Sequence, residues 1–316
     1  MKFKSFIDLS FILILCCSFF STGLSQQTIN VISWNLESGD ADVNVYGSRV
    51  ADMQNIDIWG LSEVHNANLL DRFELFAEEG ENANYESILS ATGGGDRLAI
   101  VYDADRFTLL DQMELDNINI GGGVRSPLVV QLLENDSGIQ FFFMVNHLYR
   151  SRADRRHQQS RLLNEWVEQQ TLPVIAVGDY NYDWDVNDGD EDHDLGYDLI
   201  TAGELVTWVR PQMLTNTQCS ATNNGGCRFN SVLDFVFVGN FPSNWEASST
   251  IIVVPGDFPD NRDTPDHRPV LGTFEIPAPG GGSTEELRAQ MLAKITNMEN
   301  ELAELRLLAE QICNNQ

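Results

Sequence analysis

Apolar residues along this chain collect in short runs separated by polar, turn-rich segments. The runs are INVISW at 29–34, DIWGLSEV at 57–64, RLAIVYD at 97–103, FFFMVNHL at 141–148, LPVIAVGDY at 172–180, LDFVFVG at 233–239 and TIIVVP at 250–255. Several show no alternation with polar residues, the pattern of strands covered on both faces. The stretch 151–170 reads differently, because Leu162, Leu163, Trp166 and Val167 recur at helical spacing and form one apolar stripe. Strands alternating with a helix of this kind predict a layered α/β domain over residues 26–276.

The two ends of the chain follow other rules. Lys2 and Lys4 precede an apolar run from Phe11 to Phe20, and Gly23 and Ser25 stand at the −3 and −1 positions of a cut before Gln26. Residues 1–25 are therefore expected to be a secretory signal peptide, too short in its apolar part to anchor the chain. The expected location is extracellular or periplasmic. Residues 277–284 form a Pro/Gly linker. Beyond it Met291, Ile295, Met298, Leu302, Leu305, Ala309 and Ile312 step by fours and threes. That spacing predicts a coiled-coil helix over 285–313, and with it a homo-oligomer locked through Cys313. A single amphipathic helix docking back on the domain is the other reading.

Charge changes the picture of the partners. With 19 basic and 47 acidic residues the net charge is −28, which repels polyanions at long range and argues against tight, sequence-independent DNA binding. It does not argue against phosphoester chemistry, since a divalent cation neutralises a carboxylate-rich site locally. Cys219 and Cys227 bracket the turn-rich loop SATNNGG, with no further Cys or His close by to suggest zinc. In an oxidising compartment they are expected to form a disulfide.

Chemically competent residues stand at or near the ends of six apolar runs. Asn35 closes the first, and Glu63, a ligand type suited to Mg²⁺ or Mn²⁺, closes the second. Asp96 and Arg97 enter the third, while Asn146 and His147 follow five apolar residues in the fourth. Asp179 and Asn181 lie two apart at the fifth, on one side of an extended chain. The sixth carries Asp234 and is complemented by Asp266–His267 in TPDHRPV. A His beside one carboxylate with another available from a neighbouring strand is the arrangement a general base needs.

Singly each of these is an ordinary strand-end residue. In order, and with GDYN and DHRPV as the most specific parts, they resemble the motif series of the endonuclease/exonuclease/phosphatase family over about 250 residues. The resemblance implies a four-layered α/β sandwich, two stacked mixed sheets flanked by helices, with the site at one rim. It further implies Glu63 as principal Mg²⁺ ligand, helped by Asn35 and Asp266, with Mn²⁺ as a substitute metal. Asp179 would orient the attacking water and Asn181 would hold a phosphoryl oxygen. His267, oriented by Asp234, would serve as base or charge stabiliser, and His147 would face the leaving oxygen. In the deoxyribonuclease-like branch His147's partner is a Glu immediately before an Arg. Here the pair reads Asp96–Arg97, and the shorter side chain is a departure.

Substrate signals are thinner. Arg150, Arg152, Arg155, Arg156 and Arg161 are five of the few cations in this chain and begin three residues after His147, with Arg150 the expected phosphate contact. The acidic run 183–194 reads either as a solvated loop or as a Ca²⁺ cage built from Asp183, Asp185, Asn187 and Glu191. The expected function is a secreted, metal-dependent phosphodiester hydrolase acting on nucleic acid by in-line attack of water. Neither a basic amphipathic helix nor an aromatic hairpin signals stable membrane association. A phosphatase, a sphingomyelinase-like phosphodiesterase, and a non-catalytic adhesion or matrix domain presented on the coiled coil are the alternatives.

Overall fold

The fold was obtained as a computed structural model that describes residues 26–220, 226–258 and 263–277. The segments expected to be a signal peptide (1–25), a linker (277–284, beyond Pro277) and a coiled-coil helix (285–313, with Cys313) lie outside the described residues. In chain order the elements are β1 (Gln26–Asn35), α1 (Val43–Asp52), β2 (Ile58–Val64), α2 (Ala67–Glu81), β3 (Tyr85–Leu89), β4 (Arg97–Asp103), β5 (Phe107–Glu114) and β6 (Leu128–Glu134). They continue with β7 (Gln140–His147), α3 (Ala153–Glu168), β8 (Val174–Asp185), α4 (Leu195–Ile200), β9 (Val206–Trp208), β10 (Ser231–Gly239), β11 (Glu246–Ile251) and β12 (Val270–Pro277).

These strands make two six-stranded mixed sheets, ordered β11-β12-β1-β2-β4-β3 and β5-β6-β7-β8-β10-β9. Each sheet holds one parallel pair among antiparallel neighbours, β1 with β2 and β7 with β8. A helix crosses over between the strands of each pair, α1 in the first sheet and α3 in the second, as parallel pairing requires. The sheets stack on a core that includes Ile29, Val31, Ile58 and Ile100 from the first and Phe143, Val145, Ile175 and Val177 from the second. Gly60 permits the close approach, because a Cβ there would stand 2.4 Å from Val177 Cγ2. A second core, with Trp59, Leu70 and Phe73, fixes α1 and α2 outside the first sheet. Leu163 and Val167 of α3 cover the second sheet, with Leu162 and Trp166 half-buried beside them. The outcome is the four-layered α/β sandwich.

Two local expectations needed adjustment. The apolar run 250–255 is not itself the strand: β11 ends at Ile251, and Val253 is exposed. The strand is instead the polar segment EASSTI at an edge, where only alternate residues turn inward. Strand β12, which the apolar runs did not signal, alternates buried and half-exposed positions along VLGTFEIP.

A disulfide joins Cys219 and Cys227, as expected from their spacing. Cys219 is fully buried, and its amide donates to the Asp266 carbonyl at 3.0 Å, so this end of the disulfide is pinned beside Asp266–His267. A Cys219→Ser/Cys227→Ser double variant is expected to lose about 2–3 kcal/mol, the loop-closure entropy of a short ring. Denaturant titration with and without reductant measures it, and the unaltered protein in reductant should match the double variant.

Candidate active site

The C-terminal ends of both parallel pairs open at one rim. Asn35 and Glu63 arrive from β1 and β2, and His147 and Asp179 from β7 and β8. Glu63, His147 and Asp179 line a cleft of about 500 Å³ together with Arg150, Asn181, Asp183, Asp266 and His267, and Asn35 lies buried behind them. Backbone irregularity aims these side chains. Pairing of β2 with β4 slips between Leu61 and Val64, and Glu63 within that bulge has a φ of 58°. Pairing of β8 with β10 slips between Val232 and Asp234, where Asn181 and Asp183 take φ values of 53° and 47°. With Glu37 and Ser38, five of the nine non-glycine residues of positive φ among the described residues line this cleft. Such conformations persist only where surrounding structure enforces them, and they re-aim side chains that a regular strand would send elsewhere.

Gly178 is the sharpest constraint. Its φ is +137°, and a Cβ there would come within 1.9 Å of the Asn146 carbonyl oxygen. Gly178→Ala is expected to destabilise the fold by about 3 kcal/mol and to displace Asp179, seen as a lowered melting temperature together with lost turnover.

Three ligand-type groups converge most closely. Glu63, His147 and Asp179 each place one donor atom within 4.8 Å of the others, the one grouping of three His, Cys or acidic side chains this tight among the described residues. Asn35 bridges the two carboxylates, its amide donating to Glu63 Oε1 at 3.0 Å and to Asp179 Oδ2 at 3.2 Å. The Ser38 hydroxyl holds the other Glu63 oxygen at 2.8 Å. Asp266, expected beside Glu63 as a ligand, is not in this grouping. Its Oδ2 accepts from Gln218 at 2.7 Å, and its Oδ1 is 3.8 Å from His267 Nε2.

The two histidines differ in charge. His267 Nδ1 meets the buried Asp234 Oδ2 at 2.8 Å, while the indole N–H of buried Trp34 donates to the His267 carbonyl at 2.9 Å. Burial by itself would lower the pKa of His267, but Asp234, Asp179 and Asp266 overcome that and raise it to about 10, so the ring is cationic at neutral pH. Burial, with Arg125 next, pushes His147 well below its ordinary value, so this ring is neutral. Burial also raises Asp179 to about 7, with the His267 charge opposing and Asp234 and Glu63 adding to the rise.

Asp96 stands behind His147, its Oδ1 3.4 Å from Nδ1, yet neither atom has a hydrogen-bond partner. The carboxylate and the ring thus face each other without a formed hydrogen bond. Arg125, which the sequence reading passed over, spans the back of the pair. It donates to Asp96 Oδ2 at 2.5 Å and to the His147 carbonyl at 3.0 Å.

Arg150 is exposed at the cleft and makes no ion pair among the described residues. Other arginines of the basic segment are engaged: Arg152 with Asp154, Arg156 with Asp194, and Arg155 with the Tyr149 hydroxyl. The acidic run does not close into the Ca²⁺ cage considered above. Asp185 Oδ1 caps its own turn by accepting from the Asn187 and Asp188 amides, and Asp183 is turned into the cleft. Asn146 also departs from His147, facing inward to donate to the Tyr180 hydroxyl at 2.9 Å. No signal short of the bulges would have separated these neighbours.

Residues 32–278 match the model of the Endonuclease/Exonuclease/phosphatase family. A search of curated proteins finds no match. Among solved structures, the chain is similar to an endonuclease/exonuclease/phosphatase family protein from Bacteroides thetaiotaomicron, at 19% identity and a TM-score of 0.60, covering 80% of this chain and 99% of that one. D. rerio TDP2 complexed with a single-strand DNA product gives 17% identity and a TM-score of 0.60 over 78% of this chain and 99% of its own. A mannosyl-6-phosphatase from B. thetaiotaomicron gives 19% and 0.57 over 78% and 99%. At such identities the likeness to these structures is one of fold.

Proposed function

Because this chain belongs to the endonuclease/exonuclease/phosphatase family, we propose that it is an exported, metal-dependent phosphodiester hydrolase whose substrate is nucleic acid. The observation that carries this reading is the meeting, at one cleft, of the Glu63–His147–Asp179 grouping with a cationic His267. The donor set suits a hard divalent cation: Glu63 and Asp179 offer carboxylate oxygens, Asn35 is hydrogen-bonded to both, and Asp266 lines the same cleft. When bound, Mg²⁺ or Mn²⁺ supplies Lewis-acid neutralisation of the phosphoryl oxygens.

The side chains divide the remaining work. Asp179 Oδ1 is held by the Asn181 backbone amide at 3.0 Å, and Oδ2, steadied by the Asn35 amide at 3.2 Å, orients the attacking water through its remaining lone pair. Asn181 donates to a phosphoryl oxygen. His267, positively charged and fixed by Asp234, stabilises the negative charge that grows on the phosphorane-like centre. His147, steadied by Asp96 and Arg125, hydrogen-bonds the leaving oxygen, and Arg150 holds a neighbouring phosphate. A bond forms between water oxygen and phosphorus as the ester P–O bond breaks, and the leaving oxygen ends protonated. No covalent enzyme intermediate is needed.

The signal segment 1–25 supports export, and no helix among the described residues is long and apolar enough to cross a membrane. A homo-oligomer through 285–313 remains part of this proposal, checked by non-reducing electrophoresis with sedimentation. The activity is tested with plasmid and single-stranded DNA in Mg²⁺ or Mn²⁺, beside sphingomyelin, bis-p-nitrophenyl phosphate and sugar monophosphates. Diester cleavage of DNA is expected. Turnover of sphingomyelin or of sugar monophosphates alone would replace the nuclease reading, and metal binding without turnover of anything would point to an adhesion role.

A further inference from the structure

Among the described residues the cleft has two apolar side chains in its lining, Phe229 and Leu233. Phe229 is 51% exposed and is the one exposed aromatic side chain among the described residues. A lone exposed apolar residue is ordinary on a surface, but this one stands inside a polar cleft. It is also firmly mounted. Cys227, two residues earlier, is tied to Cys219, the Arg228 amide donates to the Ser220 carbonyl at 3.0 Å, and β10 begins two residues later.

Charge restricts what can lie against that ring. Six carboxylates line the cleft, against Arg150 as its one arginine. Arg150 and His267 suffice for one phosphate and its neighbour, and the Arg228 guanidinium already lies 6.0 Å from the Phe229 ring centroid. The carboxylate-rich lining therefore favours an uncharged group as the further partner of that ring. An acyl chain would need more apolar wall than two side chains provide. A flat, neutral ring can stack on the exposed half of Phe229 beside Arg228.

Resting on the phosphodiesterase reading above, we infer that Phe229 is a stacking platform for a nucleobase flanking the scissile phosphate. The substrate is then a single-stranded or short oligonucleotide with bases free to leave their stack. A duplex keeps its bases inside, and its dense phosphates are repelled by a chain of net charge −28.

The test compares a short oligothymidylate with the same backbone carrying abasic residues around the cleaved bond. For the unaltered enzyme, KM should be roughly tenfold lower on the base-bearing strand. Phe229→Ala should abolish that difference by raising KM for oligothymidylate alone, with kcat unchanged, and Phe229→Trp should restore it. Equal KM shifts on both strands, or none, would overturn the platform. In parallel, thymidine monophosphate should quench the emission added by Phe229→Trp saturably, whereas ribose 5-phosphate should not. Absence of that quench, or equal quench by the sugar phosphate, counts against the platform whether or not the enzyme turns over. Hydrolysis of neither strand would instead refute the phosphodiesterase reading, and the quench then decides the platform alone.

Discussion

His267→Ala is expected to lower kcat on the best diester substrate by about three orders of magnitude with KM little changed. A positioned cation acting on charge that develops in the transition state contributes on that scale. Here the cation is built by geometry: Asp234 is fully buried, bound to Nδ1, and leaves Nε2 to face the cleft. Alanine would also strand the Asp234 carboxylate, whose Oδ1 already lacks a partner. Part of the loss could then be structural, because a buried charge left unpaired costs about 3–5 kcal/mol. His267→Gln separates the two effects, since its amide can still donate to Asp234 but carries no charge. Near-normal kcat in the glutamine variant, with the melting temperature retained, would remove His267 from the chemistry.

Asp179→Asn should produce the second large effect, in opposite directions for activity and stability. Turnover is expected to drop by about three orders of magnitude, because the oxygen that orients water is lost. Metal-free stability is expected to rise. Burial and nearby carboxylates hold the folded pKa of Asp179 near 7, well above its unfolded value, so the folded state binds the proton more tightly. Its contribution is therefore favourable at acid pH and is lost as pH climbs from about 4 to about 7. Asparagine removes that slope while keeping the size of the side chain. The variant should match the parent near pH 4 and exceed it by about 1–3 kcal/mol at pH 8 in chelator. Added Mg²⁺ or Mn²⁺ should raise the parent's melting temperature more than the variant's, which keeps Glu63 but has lost one carboxylate of the grouping. Parallel pH curves for the two proteins would refute the burial argument.

The sandwich was legible because strands covered on both faces leave uninterrupted apolar runs, as at 141–145 and 174–177. The amphipathic strands were harder. β5 carries TLLDQME on a half-exposed edge and β12 alternates, so neither forms an apolar block. Residues of the candidate site could be named because they stand near strand ends that a parallel pair carries to one rim. How they are turned could not be read, since that depends on the bulges at Glu63 and at Asn181–Asp183. Arg125 and Phe229 escaped for another reason. Each lies outside the apolar runs that organised the reading, and only tertiary packing brings one behind His147 and the other into the cleft.

Register gives a practical corollary. β1 and β12 pair with Gln26 opposite Pro277, whereas Ser33 opposite Val270 lies at the catalytic rim. A ten-residue strand spans about 30 Å, so these partnered ends sit at the pole away from the cleft. A short bridge from 277 to 26 should therefore allow circular permutation, with a new opening in an exposed loop such as the one after α2. By the same geometry, immobilising the domain through either of these ends should leave its mouth accessible to substrates in solution.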